Sequence, residues 1–282
     1  MEELVKKNTC SNCNFSPLEL AFCPRCGQKK LTEKDLRLRV LIGDVMESTF
    51  NFDNSFFRTL KLFFLNPGKY VNSYNLGERK KYISPIKWFL IANAIYFLFP
   101  LINTFTTSLQ IQLNGLIYSD ITKSWVEAVI DSSGMDSQNF QVQYNELTKI
   151  LSKVFLLILP LMFSGITFLT NYSERRQKPL LFHINQGLAL FSFLLIVILC
   201  LLPGIYILIS SGSQVHINDK TITITSFVLL NIYGVFLYKG FFKKGLLRSI
   251  GRIVMLNLAF YILIFIYRFI LLVITLGWME FL

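Results

Sequence analysis

The chain has 282 residues, 53% of them hydrophobic and 16% charged, with a mean hydropathy of +0.49 and a formal net charge of +11. A soluble domain carries about 25% charged residues, so the composition excludes an ordinary soluble globule and points to a lipid bilayer. The positive balance raises nucleic acid as a partner, and where the charges lie decides that question below.

The N-terminal stretch "MEELVKK" carries charges of both signs and leads into cysteines, not into an apolar segment. No cleavable signal peptide is visible, and the N-terminus is expected to stay in the cytosol. Cys10, Cys13, Cys23 and Cys26 follow with the spacing C-x2-C-x9-C-x2-C. Four thiolates on two tight knuckles can close a tetrahedron around zinc, with Zn–S near 2.3 Å. Gly27, directly after "CPRC", offers the positive φ that such a knuckle needs, and Pro24 stiffens the same turn. The competing reading, two disulfides, requires an oxidising compartment. Four thiolates leave no open coordination position, so the expected zinc is structural and substitutes for a core that so short a head cannot build. Residues 1–30 are read as this zinc-ribbon-like head.

Residues 31–85 are read as cytosolic amphipathic helices. Thr32 and Asp35 have the spacing of a helix start, and a helix over 33–50 groups Leu38, Leu41, Ile42, Val45 and Met46 on one face. A second helix, "SFFRTLKLFFL", capped by Asp53 or Asn54, places Phe56, Phe57, Leu60, Phe63 and Phe64 together and turns Arg58 and Lys61 away. "NPG" at 66–68 ends it. A third short helix runs through Tyr70 and Tyr74 to a stop at Gly77. Basic, aromatic helices of this kind suit the plane of a membrane surface. They equally suit packing against the cytosolic side of a helical bundle.

This part of the chain resembles the DUF3667 family, uncharacterised membrane proteins common in Bacteroidota. The resemblance is carried by the "CPRCGQ" knuckle, the "F-x-x-T-L" step, "N-P-G", and "G-x-R-x-x-Y-I-x-P" through Gly77, Arg79, Tyr82 and Pro85. It implies an integral protein of the bacterial inner membrane with a zinc-ribbon-like head, and it brings no activity.

Residues 86–282 are read as the membrane domain. A crossing needs roughly 20 mostly apolar residues, and five fit, at 86–107, 152–172, 186–210, 221–239 and 252–277. The fourth, diluted by Thr and Asn, is the weakest. The segment 108–148 is expected as a polar outer loop, with short amphipathic pieces around Trp125–Ile130 forming a cap on the outer leaflet. Of the 28 Lys and Arg, 23 lie in residues 1–87, "SERRQKP" and Lys239–Arg252. Four (Lys123, Lys149, Lys153, Lys220) lie in the two opposite loops, and Arg268 lies inside a crossing. Basic loops remain cytoplasmic, so the N-terminus reads inside and the C-terminus outside. The reducing cytosol then favours metal over disulfides, and the lysines sit where topology demands them, which makes nucleic acid the lesser reading.

The chain has two histidines, His183 and His216, on segments near opposite faces of the bilayer, which excludes a shared metal. His183 reads as an interface residue with proton carriage as the alternative, and Cys200 as an apolar packer. Arg268 reads as snorkelling to the outer headgroups or as bonding between helices, with Asn231 a candidate partner. Pro160 and Pro203-Gly204 can kink their helices. The fold class is therefore an all-α integral membrane protein with about five transmembrane helices, cytosolic amphipathic helices and a small N-terminal zinc ribbon. No catalytic constellation is present in the sequence. The favoured function is a non-enzymatic membrane protein that docks a cytosolic protein partner or senses the bilayer; the rival is a small oligomeric transporter or channel, which the scarcity of intramembrane charge disfavours.

Overall fold

The computed structural model describes residues 9–16, 20–30, 32, 35, 54–99, 101, 105–171, 178–212 and 219–279. The chain divides into two compact units, Met1–Ile102 with Ser164–Leu256, and Asn103–Phe163 with Asn257–Leu282. Among the described residues every named element is helical, and one isolated antiparallel bridge joins Phe22 and Lys29. The helix expected over 33–50 lies outside the described residues.

In the first unit, α1 spans Asn54–Leu65. Its buried residues are Thr59 and Phe63, whereas Phe57 and Phe64 are exposed. The single aromatic face expected from the sequence is thus divided. A stripe of bulky rings wider than one contact cannot all turn inward, and Phe63 takes the core position, 5.3 Å from Trp88 and 5.5 Å from Tyr233 between ring centroids. The "NPG" motif ends α1 and also starts α2, Pro67–Asn75: the Asn66 side chain accepts from the Lys69 amide, and Pro67 opens the helix where a missing N–H costs nothing. All of α2 except Lys69 is buried, although its sequence, "PGKYVNSYN", is mostly polar. Gly77, at φ 105°, follows it. Ser84 caps α3, Pro85–Leu98, with Pro85 at its first turn.

The rest of the first unit is built on long apolar helices. Helix α8, Leu180–Phe193, continues through a π-helical stretch, Leu194–Leu201, into α9, Leu202–Gly212. The wide turns end just before Pro203, whose ring would crowd the carbonyl of an ordinary preceding turn. Helix α10 spans Asp219–Phe242, and α11, Leu246–Met279, belongs to the first unit up to Leu256 and to the second from Asn257. Tyr233 of α10 stacks on Phe193 at 3.9 Å.

In the second unit the segment 108–148, expected as a polar outer loop with short amphipathic pieces around Trp125–Ile130, is largely helical. Those residues form α4 (Leu109–Asn114), α5 (Ser119–Ser133) and the start of α6 (Ser137–Phe155). Ser108 caps α4, Asp136 caps α6, and Gly134 ends α5 at φ 65°. Their apolar faces close a core of Leu109, Val126, Val129, Phe140 and Tyr144 with Leu272 and Leu276 from the end of α11. The polar faces hid this periodicity, because mean hydropathy over the segment is low.

Among the described residues three helices are long and apolar enough to cross a membrane: Leu180–Ser210, Lys220–Phe242 and Leu246–Met279. A fourth is reached if α6 and α7 (Leu159–Thr170) act as one crossing, bent by 48° at their break. The expected crossing at 152–172 is therefore interrupted, with Pro160 in the first turn of α7. Among the described residues of the first expected crossing, 86–107, the helix is α3, which has 14 residues. That is about 21 Å at 1.5 Å per residue, short of a 30 Å hydrocarbon core.

Candidate metal centre

The cysteine head consists of two turns of the same geometry. In the first, the Asn14 amide donates to the Cys10 carbonyl and the Cys10 amide to the Phe15 carbonyl, both at 2.8 Å. In the second, Gly27 donates to Cys23 and Cys23 to Gln28, again at 2.8 Å. Gly27 has φ 67°, as its place after the knuckle predicts, and Asn14 holds the equivalent position at φ 58°. Asparagine is among the few side chains that accept this conformation. That second signal is present in "CSNCNF" and was not read from the sequence.

The two turns bring all four sulfurs within 4.8 Å of one another. Cys10 Sγ lies 3.6 Å from Cys26 Sγ, and Cys13 Sγ 3.6 Å from Cys23 Sγ. Sulfurs at 2.3 Å from a central ion at tetrahedral angles would stand about 3.8 Å apart, so the donor set fits a four-coordinate metal. None of the five cysteines is in a disulfide. Cys10 and Cys23 are buried, Cys13 and Cys26 half-buried. Burial pushes the Cys26 thiol up, but hydrogen bonding from the Gln28 backbone and from Cys13, Asn12 and Cys10 side chains outweighs it and brings the pKa down to about 7. Cys13 receives a backbone hydrogen bond from Phe15, which favours its thiolate, yet desolvation and the neighbouring sulfurs push it up to about 12. A cation at the centre would remove that mutual opposition, since a coordinating thiol is deprotonated outright.

The head is fastened to the segment that follows α2. The Gln28 side chain accepts from the Lys80 amide at 3.0 Å, and Arg79 Nη2 donates to the Asp35 carbonyl at 3.1 Å. Asp35 also bonds Lys29 at 2.8 Å and reaches back to the Thr32 amide at 2.9 Å. That return contact is the pairing the Thr32–Asp35 spacing offers, and the helix expected to follow it lies outside the described residues. Burial raises the Asp35 carboxyl, and the bonds from Lys29 and Thr32 more than compensate, leaving it below its ordinary value.

Around α2 the buried polar groups pair across helices. Asn72 Nδ2 donates to the carbonyls of Gly240 (2.7 Å) and Phe241 (3.0 Å), and its Oδ1 accepts from Lys178 Nζ at 3.3 Å. Lys178 Nζ sits 4.2 Å above the Phe241 ring. Asn185 Nδ2 donates to Asn75 Oδ1 at 2.6 Å, and Tyr70 donates to the Ile83 carbonyl at 2.8 Å. The asparagines of "YVNSYN" were missed in the sequence; two amides in a short helix between motif glycines are the signal that could have found them.

The remaining singled-out residues are not gathered into one site. His183 is fully buried, its Nδ1 3.3 Å from Thr167 Oγ1, with the rings of Phe168, Phe241 and Phe242 around it. It is enclosed by protein side chains. His216 lies outside the described residues. Cys200 is buried, 3.7 Å from the Phe99 carbonyl. Asn231 Nδ2 donates to Phe227 of its own helix, and the Arg268 carbonyl accepts from Gln112.

Residues 53–97, which include α1, α2 and most of α3, match a family model described as "Protein of unknown function (DUF3667)". The match supports the family assignment carried by the sequence motifs, and it begins after the cysteine head. No curated protein and no solved structure matches the chain.

Proposed function

We propose that the chain is a non-enzymatic multi-pass membrane protein whose cysteine head holds one structural zinc ion and docks a cytosolic partner or senses the membrane surface. The observation that carries this reading is the gathering of four sulfurs on two matched turns, fastened through Gln28 and Asp35 to Lys80 and Arg79. Cys10, Cys13, Cys23 and Cys26 would hold the ion; with all four positions filled by sulfur, it would organise the head and leave no site for activating water. The contacts to Lys80 and Arg79 transmit that order to the segment entering α3. The division of labour is a head at 1–30, a connecting helical segment at 31–85 and a membrane domain at 86–282.

In this reading five crossings place the N-terminus in the cytosol and the C-terminus outside, in a bacterial inner membrane. They are α3 with the uncharged residues after it, the bent α6–α7 pair, α8 through α9, α10 and α11. The distribution of Lys and Arg supports this orientation.

Elemental analysis of purified protein tests the metal. About one zinc per chain is expected, and a Cys23→Ser variant should lose it. Unchanged metal content in that variant would reject the site.

A further inference from the structure

The second unit carries an exposed apolar stripe that its own core does not use. Helix α5 buries Thr122, Val126 and Val129 on one side. On another it exposes Ile121 (80%) and Trp125 (39%), and the stripe begins one turn earlier at Ile117 (78%). The carboxylates of Asp120, Glu127 and Asp131 fall on a different edge of the helix at 100° per residue. The stripe does not end at α5. Tyr118 meets Phe269 edge-on at 5.4 Å, and Phe269 belongs to the exposed line Ile262, Ile266, Phe269 and Val273 of α11. An apolar surface therefore runs from a helix able to cross a membrane onto the flank of α5.

Arg268 precedes Phe269 on α11, and its charge acts on Tyr118, the residue that meets Phe269. Arg268 is half-buried, its backbone carbonyl accepts from Gln112, and its side chain has no hydrogen bond or ion pair among the described residues. A cation with five donors on an apolar helix is costly unless something anionic meets it. Phosphate is the anion that accompanies an apolar surface in a bilayer, and a guanidinium matches its oxygens in paired hydrogen bonds.

We propose that Arg268 and the stripe Ile117–Ile121–Trp125 form a phospholipid site in the outer leaflet, with the headgroup phosphate on the guanidinium and the acyl chains along the isoleucines. The site fixes α5 against the bilayer surface and sets the depth of α11. It rests on the reading of α11 as a membrane crossing.

The test uses the full chain reconstituted in phosphatidylcholine nanodiscs, whose lipid carries phosphate as its only headgroup anion. Native mass spectrometry after release should find phosphatidylcholine retained by the wild type. Retention should fall about tenfold in Arg268→Gln, the scale of one charged hydrogen bond, and be restored in part in Arg268→Lys, which keeps the charge and loses the paired geometry. Equal retention in wild type and Arg268→Gln overturns the headgroup contact. The emission difference between wild type and Trp125→Phe isolates Trp125, and phosphatidylcholine brominated high on its chains should quench it. Quenching by aqueous acrylamide but not by brominated lipid overturns the docking of α5. Alkaline carbonate extraction separates the two levels of the argument. Protein that resists extraction but fails either assay sinks this site alone, and protein that is extracted sinks the membrane-crossing reading with it.

Discussion

Gly68 and Gly240 face each other where α2 meets α10, so closely that a Cβ built on Gly68 would lie 2.5 Å from the Gly240 Cα. A Cβ on Gly240 would lie 2.9 Å from the Gly68 Cα. Backbone meets backbone there, and the approach lets Asn72, one helical turn further along α2, reach the carbonyls of Gly240 and Phe241. The glycine of "NPG" is thus a packing residue as well as a turn residue. Through it the family-matched segment is seated on a long apolar helix.

Gly68→Ala should therefore destabilise the protein by about 1–3 kcal/mol, the usual penalty for overpacking, because neither backbone is a flexible end that can yield. Thermal unfolding in detergent measures it. Gly165→Ala is the matched control: a Cβ at that position meets nothing within 4 Å. Equal melting temperatures for Gly68→Ala and the wild type would show that the close approach does not exist.

The Asn75–Asn185 pair makes a second prediction. Both residues are buried, and they are joined at 2.6 Å. Replacing Asn185 alone with Leu should cost about 1–3 kcal/mol, since it strands the Asn75 amide away from water. Replacing both should cost less than the two single changes added together. Strict additivity in that cycle would mean the amides do not interact.

How much of this was legible beforehand depends on which signal each element carries. The cysteine spacing and Gly27 pointed to two knuckles because the four sulfurs and the turn residue are local in sequence. The "NPG" motif announced a boundary, but nothing local could announce Gly240 as its partner 172 positions later. Charge-free runs located α8–α9, α10 and α11 well. The same measure failed at 108–148, where α4–α6 bury one face and solvate the other, so average hydropathy reads as loop. At the first expected crossing it marked an uncharged run longer than the described helix Pro85–Leu98.

Topology gives a third prediction. Reporter fusions after Tyr172, Ser213, Gly245 and Leu282 should read inside, outside, inside and outside. The first, which follows both α3 and the bent α6–α7 pair, tests whether exactly one of them crosses, and the second tests the crossing by α8–α9. If the fusion after Tyr172 reads outside, one of these two interrupted elements does not span, and the crossing count drops to four. A cytosolic reading at Leu282 would place both termini on one side; with the fusion after Tyr172 still inside, the weak fourth crossing, α10, is then the first suspect.

The last prediction separates two phenylalanines that the sequence placed on one face. Phe63 is fully buried in α1 beside Trp88, Phe193 and Tyr233, whereas Phe57 is 65% exposed. Removing a large buried apolar side chain forfeits roughly 1.5–3 kcal/mol, and placing a carboxylate among those rings adds a desolvation cost. Phe63→Asp should therefore open α1 to proteolysis between residues 54 and 66 even in detergent. Phe57→Asp should leave detergent-solubilised protein as resistant as the wild type. In vesicles the order of effects tells what the exposed face touches. If Phe57, Phe64 and Leu65 rest on lipid, Phe57→Asp should increase cleavage there, and Arg58→Glu should do so only when the vesicles contain anionic lipid. Equal protease sensitivity of Phe57→Asp and Phe63→Asp in detergent would reject Phe63 as the residue that seats α1.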